Sequence, residues 1–210
     1  MKIAFFGSTG FLGKVLLGHV LDAEHQVRVL VRNPEKLGEL KEKVEIVEGE
    51  YFDAEKVDET VRGVDAVVSC IGPPIRKSPP VDQYATAMEN LIAAMKRNGI
   101  KRFVWTGGAA TTLENEKLGF KQKFIKLMID LMAGHTLPIK RKEYAIIAAS
   151  DIEWIAIRPP RIASGTPKGI VLADESTLAS SAVNIHDLSA FMLEQLVSDE
   201  WVRKAPLVAS

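Results

Sequence analysis

Short apolar runs alternate with longer amphipathic segments over the first two-thirds of the chain. Six runs rich in Val, Ile, Phe and Trp have the composition of strands buried on both faces of a parallel sheet. They span residues 2–6, 26–31, 44–47, 65–70, 101–106 and 153–157. Between them, apolar residues recur three and four positions apart, which predicts helices over 11–23, 34–40, 54–63 and 82–99. This alternation predicts an α/β fold with a doubly wound parallel sheet, built as a single domain over residues 1–210.

Two segments depart from the alternation. Residues 118–134 carry apolar side chains at helical spacing with lysines opposite, which favours an amphipathic helix packed on the core. A pocket wall, a lid or a dimer face is the alternative for this segment. Residues from about 159 to 185 are interpreted as a loop region that caps a cleft, followed by a closing helix that begins at Asp187.

Two aspartates are interpreted as helix caps. Asp53 precedes the predicted helix over 54–63, where an N-cap carboxylate would accept backbone N–H groups. The pair His186-Asp187 is interpreted in the same way at the start of the last helix, with a place at the pocket rim as the alternative.

Composition excludes several classes of partner. The 210 residues carry 27 Lys and Arg against 27 Asp and Glu, so the chain has no net positive charge to attract nucleic acid or an anionic membrane. No apolar stretch approaches the roughly 20 residues of a membrane span. Cys70 is the one cysteine, which excludes an internal disulfide and favours a reducing, cytoplasmic compartment. No two histidines have the i, i+4 spacing of a helical metal site, so no metal is expected.

The glycine-rich stretch "GSTGFLG", residues 7–13, follows the first strand and opens the first helix. A phosphate approaches the backbone closely only where no Cβ intervenes, and the N-terminus of a helix offers unpaired N–H groups and a positive dipole end. The spacing of Gly7, Gly10 and Gly13 is G-x-x-G-x-x-G, which differs from the G-x-G-x-x-G of the commonest dinucleotide fingerprint. The position nevertheless favours a pyrophosphate site over a purely structural turn.

The end of the second strand points to the form of the dinucleotide. An acidic residue there binds the ribose 2′-OH of NAD, whereas an arginine accommodates the 2′-phosphate of NADP. Arg32 occupies this position and Lys36 follows as a second cation. The sequence therefore predicts NADP(H) in preference to NAD(H), with a solvated surface arginine as the alternative.

Several stretches together carry a family resemblance. "GSTGFLG", "VLVRNPEKL", "DAVVSCIG", "WTGGA", "EWIAIRPPRI" and "NIHDLSAFMLEQL" are similar to segments of the atypical short-chain dehydrogenase/reductase proteins of the NmrA-like NAD(P)H-binding group. Within this group the chain most resembles the flavin reductase type, also known as biliverdin reductase B. The resemblance covers residues from about 2 to about 200. It implies a Rossmann-like fold and hydride transfer from NADPH to a small conjugated acceptor such as a flavin, a quinone or a tetrapyrrole.

The resemblance also implies a set of cofactor-binding residues. The pyrophosphate would lie against Gly7, Ser8, Thr9, Gly10, Phe11, Leu12 and Gly13. The adenosine end would be bound by Arg32, Lys36, Glu50, Tyr51, Cys70, Ile71 and Gly72. The nicotinamide end would be bound by Thr106, Gly107, Lys140, Pro160, Arg161 and Ile162.

The catalytic pair of most short-chain dehydrogenases is absent. Those enzymes use Tyr-x-x-x-Lys as a proton donor, but none of Tyr51, Tyr84 and Tyr144 has a lysine four residues on. Because a flavin or quinone ring spreads the charge it receives, it needs less acid catalysis than a ketone. Thr106, Arg161 and Lys140 are the catalytic candidates.

For two of these candidates a second role stays open. Thr106 would bond the nicotinamide, the acceptor or a backbone carbonyl, and Arg161 would pair with an anionic group of the acceptor, such as the FMN phosphate, or with an acidic neighbour.

Two other functions are compatible with these features. A non-catalytic NADP(H) sensor that controls a protein partner would also lack the Tyr/Lys pair. A sugar-nucleotide epimerase or dehydratase is less favoured, because the C-terminal part is short. A monomer or a weak homodimer is expected.

Overall fold

The computed structural model describes residues 1–74, 80–109, 111 and 136–210. The helix expected over 118–134 and part of the Pro-rich stretch 72–80 lie outside the described residues. A six-stranded sheet has the order β3-β2-β1-β4-β5-β6, and every pairing in it is parallel. Its strands are β1 Lys2–Phe6, β2 Gln26–Val31, β3 Glu45–Glu48, β4 Ala66–Ser69, β5 Arg102–Thr106 and β6 Glu153–Ile157. This order confirms the predicted single-domain, Rossmann-like, doubly wound α/β fold.

Helices cover both faces of the sheet. They are α1 Phe11–Asp22, α2 Ala54–Val61, α3 Val81–Arg97, α4 Leu137–Ala148 and α5 Ile185–Glu194. The segment Pro34–Lys43 is a 3₁₀ helix interrupted at Gly38, where φ is +61°, so the helix expected over 34–40 is two short turns. Helix α4 was not predicted, because its Lys-Arg-Lys run obscures the apolar spacing.

The two faces of the sheet carry separate cores. Along β1, Ala4 and Phe6 pack in the core under α2, α3 and α4, whereas Ile3 and Phe5 pack in the core under α1 and α5. A strand buried on both sides needs apolar residues at successive positions, which is why these runs are continuously hydrophobic.

The cap predicted at Asp53 is confirmed. Its carboxylate Oδ1 accepts the backbone N–H of Glu55 at 3.0 Å and that of Lys56 at 3.2 Å. These bonds satisfy two of the N–H groups that the first turn of α2 leaves unpaired.

The cap predicted at His186-Asp187 is wrong. Helix α5 begins two residues earlier, where Asn184 Oδ1 accepts the N–H of His186 at 2.8 Å. The carboxylate of Asp187 is buried and instead accepts the N–H groups of Lys168 and Gly169, each at 3.0 Å. Asp187 therefore fastens a distant loop to α5.

The capping region contains short strands within its loops. β7 Arg161–Ala163 pairs parallel with β9 Ala182–Asn184, and β8 Leu172–Asp174 pairs antiparallel with β10 Leu207–Ala209. Across the part of the chain that the structure describes, no helix is both long and apolar enough to cross a membrane.

Candidate dinucleotide-binding site

The carboxyl ends of the parallel strands place most of the candidate residues at one edge of the sheet. The strand order reverses between β1 and β4, and dinucleotides bind at this switch point in doubly wound folds. The glycine turn follows β1, Arg32 follows β2, and Cys70 follows β4. Thr106 ends β5, and Pro159 and Pro160 follow β6 by two and three residues.

The three glycines of the turn are required for different reasons. Gly7 has a φ of +82°, and a Cβ on it would lie 2.8 Å from the carbonyl carbon of Cys70. A Cβ on Gly13 would lie only 2.0 Å from the carbonyl oxygen of Gly7. Gly10 has an ordinary extended backbone, and its Cβ would lie 3.3 Å from the same oxygen. The turn is therefore compressed between the start of α1 and the turn after β4.

The N-terminus of α1 has the features of an anion site. Gly10 is its N-cap, the first turn holds no acidic residue, and no side chain among the described residues bonds the first N–H groups. Those N–H groups and the helix dipole remain for a negatively charged ligand. Phe11 beside them is 61% exposed, whereas Leu12 is buried. The hydroxyl of Ser8 is buried and has no hydrogen-bond partner among the described residues.

Two cations lie beyond β2 with their side chains exposed. They are Arg32 and Lys36. Glu35, the carboxylate between them, is paired with Lys41 at 2.5 Å, which draws its negative charge toward another partner. The position is thus suited to a phosphate.

The residues after β3 divide between surface and core. Glu50 is exposed, but Tyr51 is 8% exposed and its ring packs edge-on against Phe6 with 6.0 Å between centroids. Burial, with further effects from the Glu143 carboxylate and from Tyr84, raises the pKa of Tyr51 well above its ordinary value. The side chain of Tyr51 is therefore a neutral core group, and its expected place beside the adenine remains a prediction.

The turn after β4 is held from behind by α4. Lys140 donates from Nζ to the carbonyl oxygen of Ile71 at 2.7 Å, and Gly72 follows with an exposed backbone. Burial is the main cause that raises the pKa of the Cys70 thiol to about 12, against opposing effects from Thr106 and Lys140. Cys70 is therefore a neutral thiol at physiological pH and is unsuited to nucleophilic chemistry.

The turn after β5 is joined to the segment after β6. The N–H of Gly107 donates to the carbonyl oxygen of Ile157 at 2.8 Å, and that of Ala109 donates to the carbonyl oxygen of Pro159 at 2.9 Å. Thr106 directs its hydroxyl to sulfur, with Oγ1 3.6 Å from Met192 Sδ and 3.7 Å from Cys70 Sγ. None of the three partners raised from the sequence for this hydroxyl includes either sulfur atom.

Arg161 and its neighbours lie at the start of β7. The side chain of Arg161 is exposed, and its backbone N–H donates to Ser181 at 3.4 Å. Pro160 and Ile162 on either side are half-buried. An exposed guanidinium after Pro160 can reach an anionic group of a ligand, so the proposed role of Arg161 stays a prediction.

Sequence reasoning missed Arg158, which is fully buried at the end of β6. Its Nε donates to Ala205 at 2.7 Å, Nη1 donates to Thr111 at 2.9 Å, and Nη2 donates to Glu175 at 2.9 Å, all to backbone carbonyls. The guanidinium thus joins Thr111, the capping region and the C-terminal segment. The signal in the sequence is an arginine that directly follows the apolar run of residues 154–157.

Comparison with known proteins identifies the family. The family model described as NAD(P)H-binding matches residues 7–199, so the chain belongs to this NAD(P)H-binding family. The expected membership of an NAD(P)H-binding family is thereby confirmed.

Two curated relatives that share sequence with the chain are named as reductases. The 2-alkyl-3-oxoalkanoate reductase of Stenotrophomonas maltophilia is 31% identical over 170 residues, which cover 76% of this chain and 50% of that protein. The (4-alkanoyl-5-oxo-2,5-dihydrofuran-3-yl)methyl phosphate reductase of Streptomyces griseus is 44% identical over 61 residues, 29% of this chain and 21% of that protein. The chain spans half or less of the length of these two relatives.

Solved structures share the whole fold at low sequence identity. An anaerobilin reductase, ChuY, from Escherichia coli O157:H7 has a TM-score of 0.82 at 17% identity, covering 100% of this chain and 97% of that chain. A short-chain dehydrogenase/reductase from Veillonella parvula in complex with NADP has a TM-score of 0.81 at 14% identity, covering 100% of this chain and 94% of that chain. At such identities the likeness extends to the fold alone.

Proposed function

We propose that this protein is an NADPH-dependent oxidoreductase that transfers hydride from the nicotinamide to a small conjugated acceptor such as a flavin, a quinone or a tetrapyrrole. The observation that carries the proposal is the uncapped N-terminus of α1, which follows a glycine turn compressed against the turn after β4. It supports dinucleotide binding at the switch point of the sheet, and the family to which the chain belongs binds NAD(P)H.

The preference for NADP(H) rests on the charges after β2. Arg32 and Lys36 are exposed there, and the one carboxylate between them is paired with Lys41. A guanidinium binds phosphate oxygens in a two-point geometry. The 2′-phosphate of NADP(H) is the group that this arrangement would select.

The choice of a conjugated acceptor rests on the tyrosines. Tyr51 is buried in the core, and Tyr144 packs edge-on against Trp154 with 5.8 Å between ring centroids. Neither has the lysine four residues later that would lower its pKa in a ketone reductase. Hydride transfer to a ring that delocalises charge makes the smallest demand on such a site, because orientation supplies most of the rate.

Each catalytic candidate has a specific task in this proposal. Arg161 would bind an anionic group of the acceptor, and Thr106 would contact the nicotinamide after its hydroxyl leaves the two sulfur atoms. Lys140 would act near the nicotinamide ribose, or through the backbone that it holds. Catalysis by a monomer or weak homodimer in the cytoplasm completes the proposal.

The cofactor preference is tested with Arg32→Ala. We expect the binding free-energy preference for NADPH over NADH to fall by about 1.5–3 kcal/mol, as for a lost hydrogen bond to a charged group. Isothermal titration with both dinucleotides measures the ratio. Arg62→Ala is the matched control, because Arg62 is an exposed arginine at the end of α2. An unchanged ratio in Arg32→Ala would refute the 2′-phosphate assignment.

A non-catalytic NADP(H) sensor is the second candidate. It is favoured by the inward direction of the Thr106 hydroxyl and by the burial of Lys140, which leave few polar groups for chemistry. Steady-state oxidation of NADPH with FMN, a simple quinone and biliverdin separates the two. Saturable turnover that prefers NADPH to NADH supports the reductase, whereas tight binding without turnover supports the sensor.

A further inference from the structure

Helix α4 carries a buried ion pair behind the cofactor turn. Lys140 is 8% exposed and Glu143 is 1% exposed, and Nζ of the lysine lies 3.0 Å from Oε2 of the glutamate. Removing two charges from water is costly, and an ion pair of this kind often stabilises a fold less than apolar residues would. The pair is therefore unexplained by stability alone.

The ammonium group of Lys140 joins three elements. It donates to the carbonyl oxygen of Ile71 at 2.7 Å, and it lies 4.7 Å from the ring centroid of Trp105 on β5. The Glu143 carboxylate is an ion-pair partner one helical turn away, although its buried Oε2 makes no hydrogen bond among the described residues. The ammonium group thus lies close to a carbonyl, a carboxylate and an aromatic ring. This environment fixes the position of the ammonium group.

The carbonyl that Lys140 binds belongs to the segment on which the glycine turn packs. A Cβ on Gly7 would lie 2.9 Å from the backbone nitrogen of Ile71 and 2.9 Å from the carbonyl oxygen of Cys70. A small displacement of residues 70–71 would therefore push the glycine turn or leave a gap beneath it. The position of Ile71 in this way controls the shape of the phosphate site.

Glu143 has no other ion-pair partner in the described ranges, so its charge acts on Lys140. Tyr51 from the segment after β3 and Tyr84 from α3 are the titratable groups that experience its field from neighbouring elements. Both are neutral phenols at physiological pH and cannot balance the carboxylate. The single cation available to it among these groups is Lys140.

We propose that Glu143 is a positioning residue of the dinucleotide site. Its carboxylate fixes the ammonium group of Lys140 on the carbonyl of Ile71, and this contact holds the turn after β4 in the shape against which the glycine turn packs. The inference rests on the proposed binding of NADPH at that turn. It assigns to Glu143 a role in affinity, exerted through Lys140 and without contact to the dinucleotide.

A double-mutant cycle on NADPH affinity tests the inference. The variants are Glu143→Gln, Lys140→Met and the two combined, and isothermal titration gives the dissociation constant of NADPH for each. We expect Glu143→Gln to weaken binding about tenfold or more, which corresponds to about 1.4 kcal/mol. Because Glu143 acts through Lys140, the double variant should bind no more weakly than Lys140→Met.

Two further measurements separate positioning from general destabilisation. Ile147→Val is the control, since Ile147 is fully buried on the same helix and lies in the core. It should lower the melting temperature while leaving the NADPH dissociation constant within twofold of wild type. Amide hydrogen exchange over residues 68–74, measured without NADPH, should be faster in Glu143→Gln and unchanged in Ile147→Val.

The possible results have distinct meanings. Wild-type affinity in Glu143→Gln, or effects that multiply in the double variant, would overturn the inference alone. Absence of NADPH binding by the wild type would overturn the proposed function and this inference with it. If Glu143→Gln does not fold because a buried lysine is left without its partner, Glu143→Asp and the double variant carry the test. Glu143→Asp should then bind NADPH more weakly than wild type and show faster exchange over residues 68–74.

Discussion

The glycine turn, residues 7–13, and the capping region, residues 159–185, lie in the same fold but are held by different kinds of force. The glycine turn is shaped by exclusion, since a Cβ on Gly13 would lie 2.0 Å from the Gly7 carbonyl oxygen. The capping region is held by attraction, since Arg158 and Asp187 bond backbone groups within it. The exclusion at Gly13 acts between near neighbours in the chain, whereas these hydrogen bonds act across 17 to 19 residues. The first can be inferred from a short motif, but the second requires the fold.

The largest expected effect comes from filling the glycine turn. Gly13→Ala places a methyl group on the backbone of Gly7, and the start of α1 has to move. We expect a loss of about 3 kcal/mol in the free energy of unfolding, at the upper end of overpacking costs, together with loss of NADPH binding. Urea denaturation and isothermal titration measure the two effects. An NADPH dissociation constant within twofold of wild type would refute the conclusion that the turn has no room for a side chain at Gly13.

The next largest effect is expected when Arg158, which anchors the capping region, is replaced. In Arg158→Met, three backbone carbonyls lose a charged donor, two of them in buried hydrogen bonds, and we expect a cost of about 2–3 kcal/mol in the free energy of unfolding. Arg161→Met is the matched control three residues away, and its stability should change by no more than about 0.5 kcal/mol because the side chain is exposed. Equal losses in both variants would remove the distinction between a structural and a ligand-facing arginine.

The second anchor of the capping region has a pH signature. Burial acts to raise the pKa of Asp187, but the N–H groups of Lys168 and Gly169, with Ser210, lower it overall. A carboxyl group with a lowered folded-state pKa contributes stability above its unfolded pKa, about 3.9, and loses that contribution as the pH falls through its folded pKa. Asp187→Asn should therefore cost about 1.5 kcal/mol at pH 7.

Urea unfolding at a series of pH values checks this prediction. The difference between wild type and Asp187→Asn should stay constant from pH 7 to about pH 5 and shrink below about pH 4. A difference that persists unchanged to the lowest pH at which the protein folds would show that the charge of Asp187 is not what holds the loop.

The smallest expected effect comes from a second glycine of α1 and tests whether the effect of Gly13→Ala is specific to the glycine turn. Gly18 lies on the same helix as Gly13, and beyond the backbone of that helix no atom of the described residues lies within 4 Å of a Cβ built on it. Gly18→Ala should raise the free energy of unfolding by about 0.5–1 kcal/mol, because alanine loses less conformational entropy in a helix. NADPH affinity should not change. A loss of stability would show that the helix tolerates no added methyl group, and the effect of Gly13→Ala would then lose its specific explanation.

Sequence reasoning succeeded where the physical cause is local. The six strands and the cap at Asp53 were predicted because apolar runs and N-cap residues act over a few positions. The candidate turns after β1, β2, β4 and β5 follow from the same strands, because parallel strands bring their carboxyl ends to one edge.

The residues that sequence reasoning missed or misassigned act over long distances. Arg158 bonds Thr111 and Ala205, each 47 positions away, and Lys140 bonds Ile71 across 69 positions. Asp187 was taken as a local cap although its partners precede it by 18 and 19 residues. Such partners depend on which elements meet in the fold, and no local spacing reveals them.

The central claim is that the dinucleotide bound at the glycine turn delivers hydride to an acceptor. Rapid mixing of an NADPH complex of the purified protein with FMN under single-turnover conditions, followed at 340 nm, tests it most directly. The account predicts an exponential loss of absorbance with an amplitude equal to the bound NADPH, and a much smaller amplitude with Gly13→Ala. Bound NADPH that persists after mixing with FMN, with a quinone and with biliverdin in turn would contradict the reductase and leave the sensor.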